Sequence, residues 1–194
     1  MQETSTAKDY FKKCFNKNLL ITKGIIAACA LVVVLAFSLS FYFWLHNKPE
    51  GIVGHENKFW FIDVKWNEGI GFSALSGNTS AIYAIQSIMF ILLLAIFIFL
   101  THDKISSSFV ALAMFGGFFN LIQRAAESGE FAGCVLDYFH FGFWKSFAIF
   151  NWPDMFVVIG IFGFVISYII MTVIQYQREK QQESHKSQGN NEQH

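Results

Sequence analysis

The chain has 194 residues, 54% of them hydrophobic and only 14% charged, with a mean hydropathy of +0.40. Soluble domains carry about a quarter of their residues as charges, so this deficit points to lipid as the solvent. Fourteen basic residues balance fourteen acidic ones, which excludes the basic surface of a nucleic-acid-binding protein, and the length excludes a large transporter.

In chain order, a basic N-terminal segment (residues 1–24, with Lys8, Lys12, Lys13, Lys17 and Lys23) leads into an uncharged run at 25–45. As a helix that run is about 32 Å long, enough for a hydrocarbon core of about 30 Å. It is too long and bulky for a secretory signal and no small-x-small cleavage site follows, so it reads as a retained first span. A connection at 46–80 holds the alternating aromatic and β-branched stretch 59–66, which predicts a short strand at the membrane interface. Residues 81–100 are apolar apart from Tyr83, Gln86 and Ser87 and predict a second span. After a turn at 101–104, residues 105–122 predict a third. That third run is less apolar and carries Ser106, Ser107, Ser108, Gly116 and Gly117, small residues that let helices approach closely.

A second connection, 125–153, predicts an interfacial loop whose Tyr138, Phe139, Phe141, Phe143 and Trp144 form an aromatic belt. Residues 155–174 predict the fourth span. The polar, low-complexity tail from 175 to 194 is expected to be disordered. The fold class is therefore an all-α integral membrane protein: four helices with a small extracytoplasmic β-like segment and an interfacial loop. Nine of the fourteen Lys and Arg lie in the N-terminal segment, at Lys104 and in the tail. The positive-inside rule then puts both termini in the cytoplasm and both long connections outside.

Several signatures fail. Cys14, Cys29 and Cys134 form no CxxC pair, His55-Glu56 lacks a second His at helical spacing, and the six His are scattered. No metal or cofactor is expected. Gly71 to Leu75 lacks the last glycine of a nucleophile elbow. What remains is a set of polar residues at the outer ends of the apolar runs: Asn67, Asn120, Arg124, Asp137, Asn151 and Asp154. Each has a local explanation. Asp154 suits a helix cap, Arg124 suits snorkelling to headgroups, Asn67 suits a turn before Gly69, Asn120 suits an interhelical hydrogen bond, and Asp137 suits an ordinary loop. Together they collect on one membrane face, where ionisable groups are costly and point to function.

The order of these residues resembles the signal peptidase II family. WNEGIGFS (66–73) resembles its asparagine-glycine-phenylalanine block and GGFFNLIQR (116–124) its glycine-rich block. The aspartate of VLDY (135–138) and the FNWPD stretch (150–154) are similar to its two aspartate blocks. The chain departs from the family at Gln123, where a carboxylate is usual, at Phe119, at Pro153, and in a first span without an Asp and Lys. The resemblance implies a membrane-embedded aspartic endopeptidase that removes signal peptides from prolipoproteins bearing a diacylglyceryl-modified Cys. Asp137 and Asp154 would be catalytic, with Asn67, Asn120, Arg124 and Asn151 in support, and with a monomer among membrane lipid as the working form. The alternative is a non-catalytic four-span protein, either a small transporter or an inactive homologue that binds lipoprotein precursors.

Overall fold

The computed structural model describes residues 14–71 and 73–191. The first thirteen residues, with three of the five N-terminal lysines, lie outside that range, as do Phe72 and residues 192–194. Among the described residues, four helices are long and apolar enough to cross a membrane. They are α1 (Lys17–Leu45), α2 (Thr79–Ala95, extended by a π-helical turn Ile96–Leu100), α3 (Lys104–Ala126) and α4 (Trp152–Asn191). All four start before the apolar runs because capping residues precede those runs. The side chain of Asn16 accepts from Asn18 N–H at 2.9 Å, that of Asn78 from Ala81 N–H at 3.2 Å, and that of Asp103 from Ser106 N–H at 2.7 Å. Each satisfies a backbone donor that the first helical turn leaves free.

The expected disorder from residue 175 meets a helix that continues to Asn191. The stretch after Ile174 is rich in Gln, Glu, Arg and Lys, which are good helix formers. The preceding span has already met the cost of nucleation, so each added residue needs only one further hydrogen bond.

Helix α3 is the centre of the bundle. It packs against α4, α1 and α2, and 44% of its apolar window is buried, against 11–17% for the other spans. In lipid, apolar side chains gain little by leaving one hydrocarbon for another, so close backbone approach carries the packing. Gly116 shows this directly. A Cβ there would sit 2.6 Å from the carbonyl oxygen of Pro153 and 3.1 Å from Cβ of Phe156, so α4's first turn lies on the α3 backbone. At the opposite end of the bundle, Lys23 is buried because its ammonium donates to the carbonyls of Phe97 (2.6 Å) and Ile98 (2.8 Å), within the π-helical turn.

Strands β1 (Gly51–Val53), β2 (Trp60–Asn67) and β3 (Val135–Phe141) form an antiparallel sheet in the order β1-β2-β3. The strand predicted at 59–66 is therefore present, shifted by one residue. The loop expected at 125–153 instead contains β3, with Asp137 as its third residue. A β-bulge between Ile62 and Lys65 shifts the β2–β3 register by one residue, and Asp137 pairs with Lys65 beyond it. Strand alternation then splits β3. Leu136 and Tyr138 pack with Leu45, Ile62 and Val64 over the end of α1, while Val135, Asp137 and Phe141 line a cavity. The aromatic belt is corrected accordingly: Tyr138 belongs to this core, and Phe143 and Trp144 are the exposed members.

Gly116→Ala is expected to cost about 1–3 kcal/mol through overpacking against Pro153. It should show as earlier thermal unfolding in detergent. Gly117→Ala is the control, since a Cβ there would meet only Val157 at 3.8 Å.

Candidate active site

All six polar residues picked out from the sequence converge. Asn67, Asn120, Arg124, Asp137 and Asp154 line one end of a cavity of about 610 Å³, a volume suited to binding an extended small ligand or a peptide segment. Asn151 lies buried directly behind them. Most of the remaining wall is apolar and comes from α2, α3, α4 and the segment before α4, including Met89, Phe90, Leu93, Met114 and Val158.

Asn151 joins the two aspartates. Its side-chain amide donates to Asp137 Oδ1 at 2.8 Å and to Asn120 Oδ1 at 3.1 Å. Its Oδ1 accepts from the backbone N–H of Asp154 at 2.9 Å, and its own backbone N–H donates to Asp154 Oδ2 at 3.2 Å. The last two bonds are a reciprocal capping box at the start of α4. They also fix the orientation of the Asn151 amide, because only its oxygen can accept from a backbone N–H. Asn120 completes the circuit by donating to Asp154 Oδ1 at 2.7 Å. Asp154 is thus both a helix-capping residue and a wall of the cavity.

Asn67 likewise holds two positions at once. Its oxygen accepts from Gly69 N–H at 2.8 Å, forming a turn, and its amide donates to Asp137 Oδ2 at 2.8 Å. Both oxygens of Asp137 therefore face donors. Asp137 is almost fully buried, and burial, followed by the charge of Asp154, pushes its carboxyl well above the usual carboxylate range. The hydrogen bonds from Asn67 and Asn151 and the charge of Arg124 act in the opposite direction and do not prevail. Because the folded state holds this proton more tightly, its contribution to stability is complete below the ordinary carboxylate range and is lost as pH rises through the raised value. Burial also pushes up the thiol of neighbouring Cys134, which keeps it protonated and a poor nucleophile.

Arg124 does not snorkel. It is buried, and its guanidinium spans three backbone carbonyls: Nη1 donates to Asn67 O at 3.1 Å and Gly133 O at 2.7 Å, and Nη2 donates to Gly69 O. It thus ties the end of β2, the following turn and the approach to β3 to the central helix. Its Nε has no hydrogen-bond partner among the described residues, and the same holds for Nε2 of buried Gln123.

Gln86, which was not among the residues expected from the sequence, also belongs to the site. Its side chain lines the cavity and its Oε1 is buried without a partner among the described residues. The available signal was an amide interrupting an otherwise apolar span.

Arg124→Lys keeps the charge but cannot reproduce a planar fork across three carbonyls. Leaving a buried acceptor unsatisfied costs about 1–3 kcal/mol, so this variant should unfold earlier in detergent and loosen the 67–69 turn. Faster amide exchange at Gly69 than in the parent would check the second effect.

A model of the signal peptidase II family matches residues 29–170. The lipoprotein signal peptidase of Malacoplasma penetrans (strain HF-2) is 32% identical over 195 residues, an alignment that spans 92% of this chain and 78% of that protein. The lipoprotein signal peptidase of Mycoplasmoides gallisepticum is 31% identical over 169 residues, spanning 82% of this chain and 53% of that protein. A bacterial membrane enzyme solved by the in meso method shares the fold with a TM-score of 0.62 at 22% identity, over 78% of this chain and 89% of that one. The family match reaches into all four apolar helices and includes both aspartates, and the chain belongs to the signal peptidase II family of membrane peptidases.

Proposed function

We propose that this chain removes signal peptides from lipoprotein precursors, with Asp137 and Asp154 as the catalytic pair and a diacylglyceryl-modified Cys beside the scissile bond. The observation that carries this reading is the Asp137–Asn151–Asp154 linkage at the polar end of a largely apolar cavity. Two carboxyls sharing one poorly hydrated site do not both ionise readily, so the pair retains one proton near neutral pH. The ionised member takes a proton from a water that attacks the scissile carbonyl. The protonated member polarises that carbonyl and then protonates the leaving amine. The pair titrates as a unit, so the shared proton and the apparent pKa values belong to the dyad and not to either residue.

The surrounding residues take roles that follow from their contacts. Asn67, Asn120 and Asn151 orient the carboxylates, and Arg124 keeps the β2 turn in place. The apolar wall formed by α2 and α4 receives the signal-peptide helix and lipid chains without any charge to desolvate. The catalytic end faces outward, with both termini in the cytoplasm. A reporter fused after Gln188 is expected to stay cytoplasmic and one inserted near Glu56 to be external, as read by protease protection in spheroplasts.

Asp137→Asn and Asp154→Asn should each reduce cleavage of a lipid-modified precursor by about 100- to 10,000-fold. The double variant should be little worse than either single one, because each loss disables the same unit. Both positions accept from donors at each oxygen, so an amide leaves one mismatched bond, costing about 1–3 kcal/mol. Each variant should therefore still insert and fold, as checked by thermal unfolding in detergent. The parent's rate should pass through a maximum with pH, falling in acid as both members protonate and in alkali as both ionise. With Asp137 held well above the usual carboxylate range, the alkaline limb should lie well above where a free carboxyl titrates. Near-normal cleavage by a folded Asp154→Asn variant would leave only the capping role.

A further inference from the structure

Two short segments distant in sequence meet at the end of the sheet away from the aspartates. Lys58-Phe59-Trp60 enters β2 and Phe143-Trp144-Lys145 leaves β3, and the antiparallel pairing sets them side by side. Trp60 pairs with Phe141, and Gly142 N–H donates to Phe59 O at 2.9 Å. All four large rings are exposed: Phe59 by 70%, Trp60 by 53%, Phe143 by 68% and Trp144 by 53%. Four such rings at one end of the sheet are costly in water, since each presents a large apolar surface.

The tip is coupled to two parts of the molecule. A relay of rings runs from Trp44, at the exposed end of α1, to Phe41 (5.6 Å), Phe139 (5.4 Å) and Trp60 (6.0 Å). The tip therefore continues the lipid-facing surface from the end of the first span. On its other side, Phe143 lies 5.2 Å from Phe141 and Trp144 lies 4.9 Å from Phe147, and both Phe141 and Phe147 line the cavity. The charges are cationic at the edge: Lys58 is exposed, and Lys145 shares its charge with Glu56 at 2.9 Å. Further in, Asp63 and His140 are paired with each other at 3.3 Å.

We propose that this tip is a lipid anchor: the four rings insert at the acyl–headgroup boundary, and Lys58 and Lys145 engage the phosphates of anionic phospholipids. Aromatic rings with an apolar body and lysines with a long apolar stem are the side chains that partition to that boundary. A surface bearing only rings would equally suit a second protein copy, but the flanking lysines favour a negatively charged layer. The anchor then sets the depth of Phe141 and Phe147, and so the height of the cavity wall relative to the bilayer. The assignment is independent of the proposed chemistry.

The test uses the full-length protein in phospholipid vesicles. The chain has five Trp, so the emission of Trp60 and Trp144 is taken as the difference between the parent and the Trp60→Phe/Trp144→Phe variant, a change that keeps both rings. Most of that difference should be lost when the lipids are brominated in the upper acyl chain, and aqueous iodide should quench it little. Quenching by the brominated lipid should be stronger in vesicles of phosphatidylglycerol than of phosphatidylcholine, and Lys58→Gln/Lys145→Gln should abolish that contrast. Emission open to iodide and indifferent to brominated lipid would place the tip in water and overturn the anchor. Emission indifferent to both quenchers that becomes open to iodide on dilution of protein in the vesicles would identify a second copy instead, and would also overturn it. Equal quenching of the parent in both lipids would overturn the phosphate contact.

Discussion

The site is organised around one buried amide. Asn151 ends the segment that returns from β3, caps α4, and donates to a carboxylate on the strand and to an amide on α3. Three elements, α3, β3 and α4, are therefore positioned by one side chain whose orientation is fixed by a backbone N–H. An amide suits this role because it offers donors and an acceptor without carrying charge, so it links two acidic groups without adding to the desolvation that each already suffers.

Lipid as solvent accounts for much of the remaining structure. Since hydrocarbon removes most of the advantage of burying Leu or Ile, the helices meet through small residues and polar contacts. The Gly116 contact with Pro153 places Asn120, one turn further along α3, beside Asp154 at the head of α4. The sheet lies across the ends of α1 and α4, where the cluster of Leu45, Ile62, Val64, Leu136 and Tyr138 holds it. The same strand that supplies Leu136 and Tyr138 to this cluster turns Asp137 the other way. Burial of Asp137 is thus a direct consequence of seating the sheet on the bundle.

Several local readings of single residues proved compatible with the convergent arrangement. Asn67 makes its turn and also binds Asp137; Asn120 bridges helices and also binds Asp154; Asp154 shares in a capping box and also lines the cavity. Most buried polar groups find hydrogen-bond partners, so one side chain commonly serves both backbone and site. Two local readings did not hold: Asp137 is a buried strand residue and no ordinary loop carboxylate, and Arg124 does not reach headgroups. Its place at the end of an apolar run suggested contact with headgroups, whereas its guanidinium holds three carbonyls of the chain itself.

The four spans were legible in the sequence because hydropathy over about twenty residues is a local property that lipid reads directly. The strand at 60–67 was legible from alternation, and the order of the polar blocks marked the residues of the site. Strand β3 was not legible: Val135, Leu136, Asp137 and Tyr138 are all buried, so the period-two pattern that marks a half-exposed strand is absent. Nor could periodicity show that α4 continues past its apolar stretch, or that the two Lys-aromatic segments are neighbours. Hydropathy and composition determined which segments enter the membrane. Only tertiary packing decided which polar side chains share a cavity, because strand register, the β2 bulge and the approach of α4 to Gly116 are set by contacts between residues distant in sequence.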